Sequence, residues 1–80
     1  MIPAQRNERL KWRSRRGLLE LDLVFERYWA GAGRELDADR ASALEQLLLL
    51  PDNDLLDLVM GRAETSEPRL QAVVRDLRSA

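Results

Sequence analysis

Leu70, Val73, Val74 and Leu77 stand at i, i+3, i+4 and i+7, the repeat that lays apolar side chains along one face of an α-helix. The same period runs through Leu18, Leu21, Phe25, Tyr28 and Trp29, through Ala41, Leu44, Leu47 and Leu48, and through Leu55, Leu56, Val59 and Met60. Strand-like alternation is nearly absent. Each stripe is too short to hold a helix in water alone, because closing the first turn is costly and few further bonds follow it. The stripes must therefore cover one another. The expected fold is all-α, a small compact bundle of four to five short helices forming one domain over residues 1–80.

Three prolines and four glycines fall where helices should begin or stop. A first helix is expected from about Pro3 to Arg15, with residues 1–5 a flexible N-terminus. Pro3 suits a first turn, and the arginines near the other end suit the negative pole of the helix dipole. Gly17 supplies a C-cap or a sharp bend before a second helix from about Leu18 to Ala30, which the GAG around Ala32 ends. Asp37 suits the cap of a third helix, with Leu36 at the staple position, and Pro51 stops it. Asp52 is expected to cap a short fourth helix that Gly61 ends. Ser66 or Glu67 starts the last helix, with Pro68 in its first turn.

With 80 residues, the core is small and the stability thin. No cysteine is present, so disulfides, thiolate nucleophiles and sulfur metal sites are excluded. Histidine is also absent, which removes the commonest general acid/base and nitrogen ligand. A non-enzymatic role follows as the favoured class. Net charge is −1 with 34% of residues charged, so no bulk field draws the chain to nucleic acid or an anionic membrane. The longest apolar run, Leu47 to Leu50, is far short of a membrane span. The start MIPAQRNERLKW lacks the apolar core of a signal peptide, and a cytoplasmic protein is expected.

Several clusters invite a chemical reading. Arg6, Arg9, Lys11, Arg13, Arg15 and Arg16 crowd one segment, accompanied by Trp12. They could face an acidic partner or simply form a solvated helix side. A helix-turn-helix across Leu50-Pro51-Asp52 would place PDNDLLDLV against DNA, and its three aspartates carry the wrong sign. Asp37, Asp39, Asp52, Asp54, Asp57, Glu64 and Glu67 lie mostly in first helical turns, where capping accounts for them without a metal. Trp12, Tyr28 and Trp29 are expected in core or part-buried packing, with an exposed partner anchor as the lesser alternative. In Arg16-Gly17-Leu18-Leu19-Glu20 the arginine and glutamate could meet as an ion pair. That pair is either an ordinary helix corner or a polar docking pair beside a glycine that admits a partner's backbone. Spacing alone leaves both open.

The stretch RRGLLELD resembles the RGxxE signature of the SdhE family, FAD assembly factors of succinate dehydrogenase, called succinate dehydrogenase assembly factor 2 in mitochondria. The likeness extends from about Arg9 to Leu77 through LKWRSRRG, ELDADRASALEQLLLLPD and DLLDLVMGR. The chain departs from the family pattern at Leu44 and Leu58, where aromatics are common; repacked core or a softened surface is expected there. The resemblance implies a five-helix bundle, acting as a monomer, that binds the flavoprotein subunit of succinate dehydrogenase, and often of fumarate reductase. It implies a chaperone that promotes covalent attachment of FAD to that subunit; with no phosphate-cradling glycine loop in the sequence, the chain is expected to hold no FAD stably itself. Carried over by position, the partner-binding residues are Arg16, Gly17 and Glu20, with Trp12, Arg13, Arg15 and Asp22 beside them. A small helical adaptor or antitoxin-like regulator, using the same basic face on another acidic protein, is the alternative.

Overall fold

The computed structural model describes residues 3–31 and 36–80. Among the described residues the chain forms five α-helices: α1 (Pro3–Arg13), α2 (Leu19–Ala30), α3 (Ala38–Leu48), α4 (Asp52–Val59) and α5 (Pro68–Arg78). The expected loose N-terminus falls partly on residues 1 and 2, and the GAG partly on Ala32 and Gly33, all outside the described residues. Helix α3 packs against α5 and α1, and α5 also meets α2 and α4. The last stripe is thus the one most widely shared.

Each helix ends for a local chemical reason. The Asp37 side chain accepts the backbone N–H of Arg40 at 2.7 Å, capping α3 as its position predicts. Asp52 does not cap α4: Pro51 holds the cap position and Asp52 is the first helical residue. Its carboxylate turns to Arg16 instead. At the other end of α4, Gly61 adopts φ +79°. The Arg62 N–H then reaches the Asp57 carbonyl at 2.8 Å and the Gly61 N–H the Leu58 carbonyl at 3.3 Å, a Schellman closure. Glu67 precedes Pro68 at the start of α5. Helix α1 stops two residues earlier than its sequence implies, at Arg13; the buried Ser14 bonds the Leu10 carbonyl through both its N–H at 2.9 Å and its hydroxyl at 2.7 Å, and the Arg15 N–H then tightens to the Trp12 carbonyl at 3.2 Å.

One hydrophobic cluster joins all five helices, with Leu21, Tyr28, Leu44, Leu47, Leu55 and Val73 fully enclosed. Tyr28 and Trp29 meet edge to face, their ring centroids 5.2 Å apart. Leu44 and Leu58 are both core residues, so those departures are changes of packing rather than of surface. Trp12 corrects the expectation of burial. Its side chain is 74% exposed, because Leu10 points inward and a residue two positions on lies about 200° around the helix.

Three arginines tie loops across the bundle. Arg6 donates to the Leu36 carbonyl at 2.6 Å, Arg16 to the α3–α4 corner, and Arg78 to the carbonyls of Leu58 and Ala63 at 2.9 and 3.1 Å. These donors tie the segment before α3 and the C-terminal ends of α3 and α4 to other elements of the bundle. Arg40 and Asp76 add an ion pair between α3 and α5. None of these helices is long and apolar enough to cross a membrane.

Candidate functional site

The connection from Ser14 to Leu18 turns the chain from α1 into α2, and its shape follows from one residue. Gly17 has φ +75°, a left-handed conformation that costs a side-chain-bearing residue about 1–2 kcal/mol. With the backbone turned this way, the Arg16 N–H points back at α2 and donates to Asp22 Oδ1 at 2.9 Å. The glycine acts as the sharp bend, not as a cap of α1, which has already ended. A Cβ at Gly17 would meet nothing within 4 Å. The outer side of the bend is therefore open.

Arg16 does not meet Glu20. Its Nη2 donates to the carbonyls of Leu48 and Leu50 at 2.8 and 2.9 Å, and its Nε lies 3.4 Å from Asp52 Oδ1, an ion-pair distance without hydrogen-bond alignment. The side chain is only 17% exposed. The motif arginine thus holds the α1–α2 bend against the corner between α3 and α4. Glu20 lies exposed in the first turn of α2, with no ion-pair partner among the described residues. Its charge there is favoured by the positive end of the helix and is available to a visitor.

The other candidates divide between structural and accessible roles. Asp22 spends one oxygen on the Arg16 N–H. Arg13 lies 3.5 Å from Glu45 on α3, both half exposed. Arg15 and Trp12 stand outward. The basic segment is therefore not one uniform patch, since Arg6 and Arg16 turn inward while Lys11, Arg13 and Arg15 remain at the surface.

An open groove of about 670 Å³ runs beside the bend, between Lys11, Ser14, Arg15 and Gly17 on one wall and Asp22, Phe25, Glu26 and Trp29 on the other. Its back is fixed by Ser14, whose oxygen accepts the Trp29 indole N–H at 3.2 Å. Lys11 Nζ sits 5.6 Å from the Trp29 ring centroid, within cation–π reach. A nucleotide diphosphate in this groove would face two carboxylates as well as two cations. Among the described residues lining it, no glycine-rich turn supplies backbone donors to offset that, so this donor set does not fit a resident FAD.

Sequence reasoning missed Ser14, Leu19, Leu49 and the Arg16–Asp52 pair. Leu19 is 70% exposed and Leu49 77% exposed. Both were legible in principle, since adjacent leucines on a helix cannot all face one core. Ser14 and the Asp52 contact depend on which elements meet, and no local pattern announces that.

The family described as "flavinator of succinate dehydrogenase" matches residues 8–80 of the chain. Among curated proteins, the FAD assembly factor SdhE of Ralstonia nicotianae is 52% identical over 59 residues, covering 74% of this chain and 62% of that protein. The match thus spans less than two thirds of the Ralstonia protein. The SdhE of Methylococcus capsulatus is 42% identical over 71 residues, covering 89% of this chain and 86% of that protein. The SdhE of Coxiella burnetii is 30% identical over 71 residues, with 89% and 87% covered. No solved structure gives a significant match.

Proposed function

This chain belongs to the SdhE family of FAD assembly factors, the flavinators of succinate dehydrogenase, and we propose that it binds the flavoprotein subunit of that enzyme and promotes its covalent flavinylation. The flavoprotein of fumarate reductase is a second target of the same class. The observation that carries this reading is the bend at Gly17: an outward face empty to 4 Å, with Glu20 exposed beside it, on a scaffold clamped from behind by Arg16. A partner surface can approach the backbone there and find a carboxylate at hydrogen-bonding range.

The role is that of a cytoplasmic, monomeric chaperone rather than a catalyst. With neither histidine nor cysteine, the chain lacks the commonest general acid/base and the thiolate nucleophile. FAD is cargo of the partner in this scheme. What the factor supplies is differential binding: it holds the flavoprotein arrangement in which the acceptor side chain and the flavin are aligned. About 1.4 kcal/mol of such preference shifts that population about tenfold.

Co-expression with the cognate flavoprotein tests the reading, with in-gel flavin fluorescence after denaturation as the measurement. Wild type is expected to give a strong covalent-flavin band, Gly17→Arg a weak one, and Glu20→Ala a reduced one, with circular dichroism showing folded variants. Bands of equal strength in all lanes, including one without this protein, would remove the assembly role and favour an adaptor for another acidic protein.

A further inference from the structure

The run Leu47 to Leu50 wraps most of the way around the end of α3, so its members cannot share one environment. Leu47 and Leu48 are buried, Leu50 is half buried, and Leu49 is the most exposed large apolar side chain among the described residues. Its position is fixed by the motif. The carbonyls on either side of it, those of Leu48 and Leu50, both accept from Arg16 Nη2. Leu49 is therefore held one arginine side chain away from the Gly17 bend, although 32 positions separate them in sequence. At the start of α2, two residues after the glycine, Leu19 is also largely exposed.

We propose that the docking surface is a composite of two helix corners. The α1–α2 corner contributes Gly17, Leu19 and Glu20, and the α3–α4 corner contributes Leu49. Arg16 locks the two in register from behind. It is a positioning residue, because its Nη2 is committed to the Leu48 and Leu50 carbonyls and its Nε faces Asp52. This inference rests on the assembly-factor reading, and the occupant it commits to is the flavoprotein subunit. The complementary patch on that subunit is apolar at its centre, with an acidic rim where it meets Lys11, Arg13 and Arg15 and a basic group opposite Glu20. Surface leucines ringed by charge are suited to this arrangement, since the rim orients the encounter while the centre loses water.

Binding of the purified flavoprotein subunit to wild type, Leu49→Met, Leu49→Ala and Leu49→Asp, measured by titration calorimetry alongside thermal melts, tests the composite surface. An exposed leucine contributes little to folding, so all three variants should melt close to wild type. Leu49→Asp is expected to weaken Kd by about tenfold or more, and Leu49→Met to retain nearly full affinity. In an Arg16→Lys background the loss on adding Leu49→Asp should shrink, because the second corner is no longer held in register. A wild-type protein that binds tightly while Leu49→Asp binds equally well would overturn the composite surface alone. A wild-type protein that fails to bind the flavoprotein would overturn the assembly-factor reading and this inference with it.

Discussion

At the Arg16 side chain a motif residue turns out to be a structural clasp. Hydrogen bonds from a charged donor to buried carbonyls contribute about 1.5–3 kcal/mol each when their loss leaves the acceptors unpaired. Here the same Nη2 serves both carbonyls, and the Asp52 partner is half exposed, which dilutes its share. Arg16→Ala is expected to lower stability by about 2 kcal/mol, or about 10 °C in Tm for a domain of this size. Arg16→Lys should recover only part, since one ammonium cannot reproduce a planar fork that reaches two carbonyls and a carboxylate. A thermal melt by circular dichroism decides the matter, and an Arg16→Ala melt matching wild type would show that the clasp adds nothing. The motif itself was legible as a string of residues, but its direction was not. Arg16 and Glu20 are spaced as a helical pair, yet Gly17 breaks the helix between them, and Arg16 finds its partners 32 to 36 positions away.

Helices are the scale at which the sequence speaks most clearly, because a period of apolar residues is a local signal that burial must honour. In α5 the stripe Val73, Val74 and Leu77 is buried as its spacing requires, with Leu70 partly buried at the rim. What the period could not announce were the ends. Asp52 looked like a cap, but Pro51 holds that position while the Asp52 carboxylate meets Arg16, and α1 gives way at a serine buried against the bundle. Because α5 meets α2, α3 and α4 together, its core side chains should be costly to truncate. Leu77→Ala, at a position 1% exposed, is expected to cost about 3 kcal/mol. An 80-residue domain has only about 4–12 kcal/mol in total, so this one substitution should move the urea midpoint strongly downward. A midpoint within error of wild type would mean the bundle relaxes around the vacancy and that α5 is not the shared element proposed here.

Across the whole molecule a net charge of −1 conceals a polar distribution. Residues 1–17 carry six basic side chains against one acidic, while residues 18–80 carry seven against thirteen. The exposed Lys11, Arg13 and Arg15 lie at the candidate surface, with Glu20 exposed beside them and Glu45 paired to Arg13. Under the proposed function, these exposed cations would steer an acidic flavoprotein toward the Gly17 bend, an effect on association rather than on the finished complex. Stopped-flow binding should therefore show kon falling severalfold as salt rises from about 0.05 to 0.5 M, as the screening length shrinks below the size of the patch, with koff nearly constant. Arg15→Glu should lower kon at low salt and flatten the salt dependence, while leaving Tm close to wild type because Arg15 stands at the surface. Random duplex DNA offers the opposite control. Its phosphates are drawn to the basic end but repelled by the acidic α4, so its affinity should stay weak and vanish with added salt. If koff instead rises with salt while kon holds, the basic side chains are engaged in the bound state, and Arg15 belongs at the centre of the contact with Leu49 rather than at its rim.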